Sequence, residues 1–97
     1  MDEQPTHEDF SPHLGKRFDF VGHHLTLLLR SVEPQPQFAA PNATRVPFTL
    51  VFEGPAGDIL PEGSYQAAAQ DGPAFEMYIA PIHTPIPGHQ DYQAVFN

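Results

Sequence analysis

Hydrophobic and polar residues alternate in six short stretches of this chain, the period-2 pattern of β-strands with one buried face. The clearest example is the third stretch, where Phe48, Leu50 and Phe52 alternate with polar or smaller neighbours. The six stretches cover residues 16–21, 24–32, 48–53, 63–69, 75–80 and 92–96. This pattern predicts an all-β domain of six antiparallel strands.

Turn-forming residues separate these stretches and predict how the strands connect. Gly22 and His23 suit the tight turn of a first hairpin. A stiff, proline-bounded connection from Gly54 to Gly63 is expected to join the third and fourth strands as a second antiparallel pair. Because nearly all connections are short, we expect a meander that closes into a small barrel or folds into a sandwich. Two alternatives stay open: a helix over 25–31, and an open twisted sheet covered by the N-terminal turn.

One short helical turn is expected before the first strand. Thr6 can cap this turn, which runs to Phe10 with acidic residues where the helix dipole favours them. Phe10 and Leu14 are four residues apart, as expected if the turn plugs one end of the sheet. Residues 1–5 are predicted to be a flexible acidic tail, which leaves 6–97 as a single β domain.

Composition narrows the classes of function. The 97-residue chain has 12 acidic and 4 basic residues and a net charge of -8. Four scattered cations cannot form the basic stripe that nucleic acid or an anionic membrane surface needs, so we expect neither partner. The chain has no cysteine, which removes disulfides and thiolate metal sites. With no bilayer-spanning apolar run and an acidic N-terminus, we expect a soluble cytoplasmic protein, with leaderless export as the alternative.

A set of short motifs covers nearly the whole chain after the acidic tail. They are Phe10 with His13-Leu14-Gly15 and Phe18, Pro47-Phe48-Thr49-Leu50 with Phe52 and Gly54-Pro55, Leu60-Pro61-Glu62-Gly63-Ser64-Tyr65, Ile79-Ala80-Pro81-Ile82 and Tyr92-Gln93-Ala94-Val95-Phe96-Asn97. With these motifs the chain resembles a family of small uncharacterised bacterial proteins known only as a domain of unknown function. The resemblance implies a stand-alone domain and no particular activity. It also suggests a subunit or accessory of a phage-tail-like or surface assembly as one alternative function.

The six histidines invite a metal hypothesis. His83, His89 and Asp91 flank one proline-stiffened loop, and imidazole with carboxylate is a ligand set for Zn²⁺ or Ni²⁺. Their spacing matches no known motif, and solvated loop histidines are the simpler interpretation. A small metal- or ligand-binding protein that uses the histidine loops is therefore a second alternative function, and we assign no cofactor.

The sequence contains no recognisable catalytic motif. Ser64 follows a glycine, but the turn leads into a strand rather than into the helix of a nucleophile elbow. Glu53 and Glu62 are candidates for a pair of carboxylates, although a solvated acidic rim is the simpler interpretation. We expect Arg30 to pair with Asp19 across the first hairpin. These observations predict that the protein is not an enzyme.

Three aromatic residues are candidates for contact with a partner. Phe38 is the large apolar residue of the loop 33–43, and we favour an anchor beneath the loop over an exposed contact. Tyr78 and Tyr92 lie in different alternation frames, so one of the two is expected to face outward. An exposed tyrosine near the loop 83–88 suits a protein–protein contact. The sequence thus favours a non-catalytic protein-interaction or structural module.

Overall fold

The computed structural model describes residues 5–39, 41, 46–70, 72–83 and 88–96. In chain order its elements are helix α1 (His7–Phe10), a 3-10 helix (Ser11–His13), strands β1 (Arg17–Phe20) and β2 (Thr26–Pro34), a second 3-10 helix (Pro36–Phe38), and strands β3 (Phe48–Pro55), β4 (Gly63–Ala69), β5 (Ala74–Ile82) and β6 (His89–Phe96). The predicted six strands and short N-terminal helix are confirmed, and the helix alternative over 25–31 is wrong because residues 26–31 belong to strand β2. The acidic tail predicted at 1–5 lies, apart from Pro5, outside the described residues.

The strands form one closed antiparallel barrel in the order β1-β2-β3-β6-β5-β4. The barrel prediction is confirmed, but the predicted pairing of β3 with β4 is wrong, and the chain is therefore not a simple meander. β3 pairs with β2 and β6, whereas β4 pairs with β1 and β5, so β3 and β4 lie on opposite sides of the barrel. The residues between them are numerous enough to cross the end of the barrel, which a tight hairpin turn cannot do.

Inward-facing side chains from all six strands fill the barrel interior. The alternating residues that predict the strands are the ones in this core. Among them, the ring of Phe52 receives edge-to-face contacts from Phe18 and Phe20 at centroid distances of 5.3 and 6.0 Å. Each large apolar side chain buried in this way contributes about 1.5–3 kcal/mol relative to exposure.

The connection between β3 and β4 closes one end of the barrel. Since it joins strands on opposite sides, it passes over the barrel end, where its Leu60 is completely buried. The backbone N–H of Leu60 donates a hydrogen bond of 2.8 Å to the hydroxyl oxygen of Tyr92 on β6. Burial raises the pKa of Tyr92 above its ordinary value of 10.0. Tyr92 therefore holds the crossing connection in place.

Helix α1 closes the opposite end of the barrel. Its Phe10 is completely buried, with ring centroids 4.4 Å from Phe75, 5.4 Å from Phe96 and 5.7 Å from Phe48. The expectation that this turn plugs the sheet is confirmed for Phe10, whereas Leu14 is 47% exposed. The single buried ring fills the space where β3, β5 and β6 begin or end.

Candidate functional site

One row of outward-facing residues crosses five neighbouring strands of the barrel. In register across β1, β2, β3, β6 and β5 they are Arg17, Leu28, Glu53, Asp91 and Ile82. The two carboxylates are direct cross-strand neighbours, an arrangement that is destabilising unless a positive charge lies nearby.

A β-bulge in β2 brings Arg30 to this row. The register between β2 and β3 shifts between Leu29 and Ser31, so Arg30 is the extra residue, and its side chain is re-aimed. Its Nη1 and Nη2 atoms each donate a hydrogen bond of 3.0 Å to one carboxylate oxygen of Asp91. Nη1 also lies 3.5 Å from Oε1 of Glu53. The positive charge of the Arg30 guanidinium thus offsets the repulsion between the two carboxylates.

The predicted pair between Arg30 and Asp19 is wrong. Asp19 lies opposite Thr26, well before Arg30 on β2, so the hairpin register keeps the two charges apart. The side chain of Asp91 is 10% exposed, and a carboxylate buried to that degree needs a charged or hydrogen-bonding partner. The bidentate contact from Arg30 meets that need, and no local sequence pattern signals it.

His89 precedes Asp91 by two positions on β6 and therefore faces the same side. Its Nε2 atom lies 3.3 Å from Oδ1 of Asp91, and this buried nitrogen has no hydrogen-bond partner. One potential ligand atom from each of Glu53, His89 and Asp91 lies within 4.8 Å of the other two. These donors are of the types that bind Zn²⁺ in proteins.

The structure brings together two of the three predicted metal ligands. His89 and Asp91 are neighbours, but within the described part of the chain Glu53 rather than His83 completes the cluster. His83 is exposed beyond the end of β5. Glu53 is distant in sequence, and the pairing of β3 with β6 places it opposite Asp91.

A groove of about 470 Å³ opens on the barrel surface beside this cluster. Arg17, His24, Leu28, Glu53 and His89 contribute to its lining. The groove gives a solute access to the imidazole and to the Glu53 carboxylate.

The aromatic candidates for partner contact lie in different environments. Phe38 is 70% exposed, so the favoured interpretation as an anchor beneath the loop is wrong. Tyr78 is 52% exposed, and its hydroxyl donates a hydrogen bond to the carboxylate of Glu62, which raises the pKa of Tyr78 above 10.0. Glu53 and Glu62, the two candidates for a carboxylate pair, therefore have different partners. Glu62 accepts the hydrogen bond from Tyr78, whereas Glu53 lies opposite Asp91. The third candidate, Tyr92, is completely buried and cannot contact a partner.

Residues 5–96 match the model of a protein family described as a domain of unknown function, DUF6916. The chain belongs to this family. The predicted resemblance to a domain of unknown function is thereby confirmed, while the bacterial origin of this DUF6916 domain stays a prediction. No curated protein and no solved structure matches the chain. Across the described residues of the DUF6916 domain, no helix is long and apolar enough to cross a membrane. The predicted cytoplasmic location and lack of enzyme activity stay predictions.

Proposed function

We propose that this DUF6916 domain is a non-catalytic interaction module that binds a protein partner through its outer surface. The observation that carries the proposal is Phe38, an aromatic side chain that is 70% exposed on an ordered turn. Aromatic residues presented in this way are frequent anchors of protein–protein interfaces.

The turn that presents Phe38 is held by backbone hydrogen bonds. The N–H of Phe38 donates to the carbonyl of Gln35, and the N–H of Ala39 donates to that of Pro36, each at 3.0 Å. The N–H of Gln35 donates to the carbonyl of Pro47 at 2.8 Å, which ties the turn to the start of β3. A turn that is already ordered costs less conformational entropy when a partner binds it.

Because side chains fill the interior of the barrel, we expect a partner to bind the outer surface. In the described part of the chain eleven large side chains are completely buried, and Leu60 and Phe10 close the two barrel ends. The net charge of -8 favours a partner with a basic surface, because opposite charges accelerate association.

The first experiment places a photo-crosslinking phenylalanine analogue at position 38 or at position 21 in cells of the native host. Val21 is also 70% exposed, but lies in the turn after β1, at the other end of the barrel. We expect a discrete heterologous adduct from position 38 and none from position 21. The crosslinked protein is then purified, and its Kd is measured for wild type, Phe38→Ser and Val21→Ser.

Burial of a Phe side chain is worth about 1.5–3 kcal/mol, so Phe38→Ser should weaken binding about 10- to 100-fold. Val21→Ser should bind as tightly as wild type. Equal adducts from both positions, or an unchanged Kd for Phe38→Ser, would refute the proposal. An adduct of twice the chain mass would instead support the assembly-subunit alternative. The sequence suggests that such subunits pair through a free edge of the last strand, but that edge does not exist because β6 pairs with both β3 and β5 in the closed barrel.

A further inference from the structure

We propose that Glu53, His89 and Asp91 form a binding site for one divalent ion of the Zn²⁺ class on the outer wall of the barrel. The site lies on β3 and β6, away from the Phe38 turn, and does not depend on the partner-binding function. Two neighbouring strands supply the ligands, so the backbone positions of the donors are fixed before an ion arrives.

The spacing of two donors already fits a tetrahedral ion. With bonds of about 2.1 Å to nitrogen and oxygen, two ligand atoms of such an ion lie about 3.4 Å apart. Nε2 of His89 and Oδ1 of Asp91 are 3.3 Å apart. The side chain of Glu53 is 34% exposed, so its carboxylate has the freedom to close the remaining distance.

A positive charge already occupies the space between the two carboxylates. Nη1 of Arg30 lies 3.0 Å from Oδ1 of Asp91 and 3.5 Å from Oε1 of Glu53. An ion at this place replaces Nη1, while Nη2 keeps its 3.0 Å contact with Oδ2 of Asp91.

The second and independent observation is the nitrogen of His89. Nε2 is buried, makes no hydrogen bond, and nevertheless faces a carboxylate oxygen. An imidazole nitrogen in this position needs either a proton or a metal ion between it and the oxygen.

The donor set selects the class of ion. One imidazole and two carboxylates suit Zn²⁺ and similar transition-metal ions, whereas Mg²⁺ and Ca²⁺ prefer oxygen ligands alone. Glu53 and His89 both line the groove, so an ion that displaces Nη1 of Arg30 could take a water molecule from this side as its fourth ligand.

The test is a titration of metal-free, ¹⁵N-histidine-labelled protein with Zn²⁺, followed by NMR of the imidazole nitrogens. We expect saturation at one ion per chain, with the Nε2 resonance of His89 shifting first, and no shift with Mg²⁺. Calorimetry then compares affinities. His89→Ala and Glu53→Gln should each weaken Zn²⁺ binding at least about 10-fold. His83→Ala is the matched control, since His83 is an exposed histidine outside the cluster.

Arg30→Met separates a metal site from a simple salt-bridge network. Removal of the competing guanidinium should leave Zn²⁺ affinity unchanged or increase it, because Nη1 no longer has to be displaced. If Zn²⁺ shifts His23, His24 or His83 first, and Glu53→Gln titrates like wild type, the ion binds exposed histidines and the proposal is wrong. Glu53→Gln decides the question even if His89→Ala does not fold.

Discussion

Tyr92→Phe tests whether the phenol hydroxyl fastens the connection that crosses the barrel end. The substitution removes one oxygen atom and leaves the buried ring in place. The substitution affects Leu60, because the backbone N–H of Leu60 donates a hydrogen bond to that oxygen at 2.8 Å. Both residues are completely buried, so the N–H loses its hydrogen-bond acceptor at a site closed to bulk water.

The expected loss follows from this burial. A buried donor left without an acceptor costs about 1–3 kcal/mol, and no cavity cost is added because the ring remains. For a domain of this size each kcal/mol lowers the melting temperature by about 4–8 °C. Tyr78→Phe is the matched control, since the hydroxyl of Tyr78 donates to Glu62 on the surface and its loss should leave the stability nearly unchanged.

Urea unfolding followed by circular dichroism measures both variants against wild type. The pH dependence adds a second readout, because burial raises the folded-state pKa of Tyr92 above 10.0. A raised folded pKa gives stability that is complete below the unfolded pKa and is lost as the pH rises through the folded pKa. Tyr92→Phe lacks this loss, so the stability difference from wild type should narrow above pH 10.0.

An unfolding free energy of Tyr92→Phe within about 0.3 kcal/mol of wild type would refute the reasoning. So would a stability difference that stays constant across the alkaline range. Either outcome would mean that another group accepts the Leu60 N–H hydrogen bond once the phenol oxygen is gone.

Three further substitutions test the packing and the ionic cluster, each by urea unfolding. Gly54→Ala should destabilise the barrel by about 1–3 kcal/mol, because its Cβ would lie 2.5 Å from Cδ2 of the buried Leu27. Phe10→Ala should cost about 3–5 kcal/mol, since it removes the ring that closes the barrel end. Asp91→Asn should cost about 1–3 kcal/mol, and combined with Arg30→Met the loss should be smaller than the two single losses together.

The two packing variants, Gly54→Ala and Phe10→Ala, each have a nearby position at which a substitution should be nearly neutral. At Gly57 an added Cβ meets no atom within 4 Å, so Gly57→Ala should change stability by less than about 0.5 kcal/mol. Leu14→Ala should have a small effect because Leu14 is 47% exposed. Equal losses of stability for Phe10→Ala and Leu14→Ala would contradict the role of the Phe10 ring in closing the barrel end. Additive losses of stability for Asp91→Asn and Arg30→Met would contradict the coupling between these two side chains.

The sequence by itself determined the elements of this protein. Alternation is a local property, so Phe48, Leu50 and Phe52 identify both a strand and its buried face without knowledge of any partner strand. The helical turn from Thr6 and its buried Phe10 also follow from local capping and spacing. The family relationship rests on the match of residues 5–96 to the family model, and it too required no tertiary structure.

Only the tertiary structure decided which strands meet. Barrel closure separates β3 from β4, which local turn residues could not reveal because a connection that crosses a barrel end contains the same residue types as a hairpin loop. The pairing of β3 with β6 sets Glu53 opposite Asp91, and a one-residue bulge turns Arg30 toward both. The candidate metal site therefore depends on register, a non-local property that a single shifted residue changes.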